Sequence, residues 1–213
     1  MSAHQTLFHA VALTALSYPY VIMNSFDTKA SLSFGGRMMH LTIIGLGITW
    51  VLTAIALVND LVANKAVTHL RHTVLALAFP LETVITLFYW GIRSHNKNLL
   101  VNPDDPDIGL FGDCSFHLIP GMVVWLELCC FSPAFRRQSR HLVTLMLFTI
   151  AYGAWVQLCY HMNGFWAYPF LSALTHSYRL AFYVTCGVIA CGAYLLGANM
   201  HTLLHPLPQK KSL

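Results

Sequence analysis

The sequence predicts an all-α protein, a polytopic membrane bundle of about six helices, on three observations. Hydrophobic residues fill 56% of the 213 positions and charged residues 9%, with a mean hydropathy of +0.59, which leaves too little polar surface to enclose a soluble core of that size. Six apolar runs approach the roughly 20 residues that cross about 30 Å of hydrocarbon as a helix. None alternates polar and apolar residues as barrel strands do, and a helix satisfies its own backbone groups in lipid.

The runs follow in order. The first, at 6–24, contains "LFHAVALTALSYPYVIM"; no basic stretch precedes it and no small-residue cleavage site follows, so it is expected to be a retained span. The second, at 38–59, begins "RMMHLTIIGLGITW", and the third, at 72–92, carries Pro80 and Glu82 near its middle. The fourth, at 113–131, reads "DCSFHLIPGMVVWLELCC", and the last two lie at 140–161 and 179–201. The longest connection, "RSHNKNLLVNPDDPD", reads as a solvated turn, with a weak cation site at Asp104, Asp105 and Asp107 as the second reading. The spans occupy most of the chain, so a single transmembrane domain over 1–213 is expected.

With a cytosolic N-terminus, the cytosolic segments hold Lys65, Arg71, Arg136, Arg137, Arg140, Lys210 and Lys211, against Lys29, Arg37, Arg93, Lys97 and Arg179 opposite, a weak positive-inside signal. The final "KKSL" resembles a dilysine retrieval signal of the endoplasmic reticulum. Such signals are read by cytosolic coat proteins, so both termini of a six-span chain are expected in the cytosol. The other reading is an incidental basic tail that helps orient the last helix. The net charge of +4 adds little, and no nucleic-acid partner is expected.

All six cysteines, Cys114, Cys129, Cys130, Cys159, Cys186 and Cys191, lie within or at the edge of apolar spans, as buried small hydrophobes would rather than disulfides or zinc ligands. There is no P-loop, no dinucleotide glycine fingerprint and no internal repeat. His69 and His72 make one HxxH, where membrane di-iron enzymes need several histidine boxes. No metal or organic cofactor is expected.

Polar residues inside apolar runs are costly and therefore face a cavity or one another. Thr42 and His117 each lie about four residues into an even-numbered span, roughly 6 Å below its start and on the same, non-cytosolic side, so they can meet. Asp113 precedes His117 by one helical turn, placed to orient the imidazole. A threonine hydroxyl becomes a nucleophile when a base takes its proton and a third group holds that base, and these three residues supply the types. Thr42 also sits near a helix N-terminus, whose unpaired N–H groups favour an oxyanion. The bland reading stays open on this ground alone: a transmembrane threonine bonding back to its own helix, and a histidine at the interface. Glu82 and Glu127 read as protonated interhelical donors or as proton-handling groups, Glu82 lining the cavity.

At these residues the chain resembles a known family. "FGGRMMHLTIIGL", "ALAFPLETVITLFYWGI", the "D…FH…P" of Asp113, Phe116, His117 and Pro120, and "IAYGAWV…NGFWAYPFL" are similar, in order and spacing from about 30 to 200, to the androgen-induced and androgen-dependent TFPI-regulating protein family. That resemblance implies a multi-span membrane hydrolase of fatty acid esters of hydroxy fatty acids, with Thr42 of "HLT" as nucleophile and His117 of "SFH" as its partner. Asp113 comes from helical spacing, not from the resemblance.

The expectation is thus an integral membrane lipid-ester hydrolase of the endoplasmic reticulum, with water as second substrate and membrane lipids around it. Arg37, and less directly Arg93 or Lys97, sits on the same side to pair with a free carboxylate. Tyr168 and Pro169 follow span five and help wall the site. The alternative is a non-enzymatic lipid-binding or transport protein in which Thr42, His117 and Glu82 line a passage. A lipid oxidoreductase is disfavoured by the absent nucleotide fingerprint.

Overall fold

The computed structural model describes residues 3–62, 64–102 and 105–206; the "KKSL" tail and Asp104 lie outside them. The elements are α1 (Ala3–Met23), α2 (Leu41–Val62), α3 (Lys65–His95), α4 (Gly109–His117), α5 (Ile119–Leu126), a π-helical turn (Glu127–Phe131), α6 (Ser139–Asn163) and α7 (His176–Leu204), with short 3₁₀ turns in the connections. Counting Gly109–Phe131 as one segment, six helices are long and apolar enough to cross a membrane. They form an up-and-down bundle with α3 at its centre, packed against α2 on one side and α7 on the other.

Four spans end within three residues of the expected bounds, and two depart further. The third is longer than predicted, 31 residues, or about 46 Å of helix. It begins early because the Asn64 side chain caps it, accepting from Ala66 N–H at 2.7 Å. The fourth begins at Gly109, four residues before the expected start, and is interrupted at Leu118 between α4 and α5. Pro120 explains the interruption: it has no N–H for the Phe116 carbonyl and its ring crowds that turn. His117 therefore ends one helix rather than lying inside a continuous one.

Lipid gives no hydrophobic drive for helices to associate, so close packing at small residues matters. At Gly197 of α7 an added Cβ would stand 2.6 Å from the Phe79 ring of α3, and at Gly45 of α2 it would stand 2.5 Å from Ile85 and 2.7 Å from Glu82. Around Phe79 the largest core cluster gathers Leu52, Leu75, Val124, Leu128, Phe135, Leu145 and Tyr194 from five helical segments and the loop after the π turn. All six cysteines are free thiols.

The end of the bundle that holds the chain's N-terminus contains a buried ionic network. His9 of α1 lies between two carboxylates, its Nδ1 2.5 Å from Asp60 Oδ2 and its Nε2 2.8 Å from Glu127 Oε2. Glu127 Oε1 accepts from Arg71 Nε at 2.6 Å and from Ser132 Oγ at 2.7 Å, and Arg71 Nη2 donates to the Phe131 carbonyl at 2.7 Å. Glu127 is thus an ion-pair partner of Arg71, neither of the two roles its position in an apolar run suggested. Arg71, counted as a loop cation in the sequence, is buried at 3% exposure for the same reason.

Candidate functional site

At the opposite end, α2, α3, α4, α6, α7 and the connecting loops surround a cavity of about 440 Å³. Its deep walls are apolar, from Leu81 and Ile85 of α3, Phe148 of α6 and Ala190 of α7, while Arg37, Lys97, Asn98 and Asn102 lie toward the loops. Thr42, His117, Asp113, Arg37 and Tyr168 all line it. Glu82 does not. It is 1% exposed between α2 and α3, where its Oε1 accepts from Thr49 Oγ1 at 3.1 Å. Its expected place in the cavity is corrected: Gly45 opens space for the carboxyl against α2, and the side chain fills it.

Thr42 is the second residue of α2, whereas His117 is nine residues into its broken span, so their distances from the helix starts are not equal as expected. They share the cavity because the interruption at Leu118 leaves His117 at the end of α4. Three contacts fix the histidine. Its Nδ1 lies 2.9 Å from the Asp113 carbonyl oxygen, the Tyr89 ring lies flat against it with centroids 3.3 Å apart and planes 4° apart, and its own carbonyl accepts from Thr86 Oγ1 at 2.8 Å. A carbonyl can only accept, so the proton is on Nδ1, and the Nε2 lone pair has no hydrogen-bond partner among the described residues. That is the tautomer a general base needs.

The Asp113 carboxylate takes no part in this contact. Its Oδ2 accepts from Arg93 Nε at 2.9 Å, Arg93 Nη2 lies at ion-pair distance, also 2.9 Å, and Lys97 Nζ lies 3.9 Å away. The expectation that it orients the imidazole is corrected: one turn of helix puts the backbone carbonyl of Asp113 under Nδ1, while the charged oxygens turn to the cations of the neighbouring helix and loop. Lys97 also pairs with Asp107 at 2.8 Å, and that pairing, with the Gly109 N–H, holds the Asp107 carboxyl below its usual range. Arg37 donates to the Phe26 carbonyl and lies over the Phe26 ring at 5.6 Å, which fixes it at the cavity edge.

Two residues gain a place that sequence reasoning missed. His40 supplies the carbonyl that accepts from the N–H groups of Ile43 and Ile44, and its ring lines the cavity edge-on to Tyr168, with centroids 5.3 Å apart. Burial and the Arg37 charge bring its pKa down to about 4, so it is neutral at physiological pH. Tyr168, expected as a wall, brings its hydroxyl to the start of α2 and accepts from Leu41 N–H at 2.9 Å. The Thr42 N–H and hydroxyl and the Tyr152 hydroxyl adjoin the same oxygen. Burial pushes the Tyr168 phenol up, so it keeps its proton. Only the motif "HLT" hinted at His40; the contact between Tyr168 and Thr42 spans 126 residues and no local pattern encodes it.

A hydroxyl at a helix start, a histidine with a free Nε2 and a phenol beside the hydroxyl can together support acyl transfer. Among the described residues no group of three or more His, Cys, Asp or Glu side chains is arranged to hold a metal ion.

The model of a family described as FAR-17a/AIG1-like protein matches residues 4–202. A UPF0641 membrane protein of Schizosaccharomyces pombe is 29% identical over 203 residues, covering 94% of this chain and 91% of the relative. The androgen-induced gene 1 protein of Homo sapiens is 25% identical over 208 residues, covering 89% and 87%. The androgen-dependent TFPI-regulating protein of Mesocricetus auratus is 22% identical over 191 residues, covering 83% of each. No solved structure matches.

Proposed function

The chain belongs to the FAR-17a/AIG1-like family of membrane proteins, and from that premise we propose that it is a lipid-ester hydrolase with Thr42 as nucleophile and His117 as general base. The observation that carries the reading is a hydroxyl and a histidine with its Nε2 lone pair free on the wall of one apolar cavity. His117 Nε2 takes the Thr42 proton as Oγ1 attacks the ester carbonyl. The tetrahedral intermediate expels the alcohol, which receives that proton from the imidazolium, leaving an acyl group on Thr42. Water, deprotonated by the same nitrogen, attacks this acyl-enzyme, releases the fatty acid and returns the hydroxyl.

Fatty acid esters of hydroxy fatty acids fit the cavity by chemistry. Two alkyl chains match the apolar walls, and a free carboxylate matches Arg37 at the edge. The lipid-passage alternative loses one of its three residues, because Glu82 faces α2 instead of the cavity. We place the protein in the endoplasmic reticulum with cytosolic termini; a glycosylation acceptor inserted near residues 98–102 should then be modified, and modification of one at the C-terminus instead would invert the bundle.

Purified protein in detergent should hydrolyse a long-chain chromogenic ester with chelator present and no nucleotide, and Thr42→Ala should abolish turnover. Full turnover by folded Thr42→Ala protein would refute the nucleophile.

A further inference from the structure

An acyl-transfer site must stabilise the negative oxygen of the tetrahedral intermediate, and the start of α2 looks from sequence as if it offers bare N–H groups for that purpose. The structure removes them. Ile43 and Ile44 donate to the His40 carbonyl at 3.1 and 3.3 Å, Leu41 donates to the Tyr168 oxygen at 2.9 Å, and the Thr42 N–H adjoins that same oxygen. The first turn of the helix is therefore occupied by a phenol.

Resting on the hydrolase reading above, we propose that Tyr168 is a further catalytic residue, the hydroxyl that donates to the oxyanion formed when Thr42 attacks. Its oxygen accepts from the helix backbone, so its remaining hydrogen-bonding capacity is its own O–H. Accepting from backbone N–H groups polarises that O–H and makes it a stronger donor. In this way the positive end of α2 reaches the substrate through the phenol rather than directly. The oxyanion lies two bonds from Thr42 Oγ1, which adjoins the phenol oxygen. Tyr152 cannot substitute, because its hydroxyl donates to the Met39 carbonyl at 3.0 Å. With its proton so placed, Tyr152 offers only an acceptor oxygen. The His40 ring against Tyr168 and the 3₁₀ turn that follows it, Pro169–Ala173, hold the phenol in place.

The test compares wild type and Tyr168→Phe on a long-chain chromogenic ester, a long-chain trifluoromethyl ketone and the matching ether. The ketone adds to Thr42 and carries an oxyanion, whereas the ether fills the cavity without one. Tyr168→Phe should lower kcat by about 10²- to 10³-fold, with KM and ether affinity within about threefold. Ketone affinity should weaken in step with kcat/KM. Unchanged kcat, or equal losses for ketone and ether, would make Tyr168 a wall residue and overturn the proposal. Should Tyr168→Phe fail to fold, fluorotyrosine at position 168 keeps the shape and the bond from Leu41; ketone affinity that tracks the acidity of the phenol supports the proposal, and indifference to it refutes it. Absence of turnover by wild type is a separate result: it removes the hydrolase reading, and this proposal with it, before any Tyr168 variant is compared.

Discussion

Replacing Asp113 with asparagine separates two jobs that one residue performs. The carbonyl that holds His117 Nδ1 at 2.9 Å is backbone and survives the change. The carboxylate that accepts from Arg93 Nε at 2.9 Å, with Nη2 at ion-pair distance, does not. A charge-assisted hydrogen bond is worth about 1.5–3 kcal/mol when shielded, and partial exposure of a partner lowers that. With the Arg93 side chain 26% exposed, the expected loss in stability is about 1–2 kcal/mol. For a chain of this size that is a drop of roughly 2–8 °C in Tm. Turnover should change by no more than about threefold, under roughly 0.7 kcal/mol of barrier, because the ring stays clamped by the carbonyl and by Tyr89. The assay is kcat on a chromogenic ester beside thermal unfolding in the same detergent. A tenfold or larger fall in kcat with unchanged Tm would show that the carboxylate orients the base, and would refute the division of labour.

His117→Ala should lose about 10²- to 10⁴-fold in kcat, and His40→Ala less than tenfold; the reverse order would move the base to His40. Because the His40 pKa is lowered from 6.5 to about 4, its folded form binds fewer protons, so its contribution to stability is complete above pH 6.5. That contribution, at most about 3 kcal/mol, should fade as pH falls toward 4, and a Tm–pH curve of His40→Asn should be flatter than wild type there. Arg37→Ala should raise KM about tenfold for esters bearing a free carboxylate and leave uncharged esters unaffected; equal effects on both would remove its proposed role. Arg71→Met leaves Glu127 buried without its cation and should cost about 3–5 kcal/mol, read as thermal unfolding, while kcat per folded molecule is unchanged because the network lies at the other end of the bundle.

The spans were legible because each needs a long apolar run, which composition displays directly. Thr42 and His117 were legible as polar residues in such runs. What the sequence could not show was which face of each helix meets which neighbour. Asp113 illustrates the limit: helical spacing correctly placed it one turn from His117, but only the position of Arg93 on another helix decides whether carbonyl or carboxylate does the holding. Glu82 was recognised as a costly buried acid, yet its partner Thr49 belongs to α2 and turned it away from the cavity. His9, Asp60 and Glu127 are separated by 51 and 118 positions, and no local pattern joins them. Tyr168 was read only as a wall of the site because its contact is with a backbone N–H that has no sequence signature.

The most direct measurement of the central claim is the site of covalent modification. Protein treated with a long-chain fluorophosphonate, digested and analysed by mass spectrometry, should carry the adduct on Thr42 in the "HLT" peptide; Thr42→Ala and His117→Ala should carry none. An adduct on any other residue, or labelling of Thr42 at the wild-type rate in folded His117→Ala protein, would contradict the account.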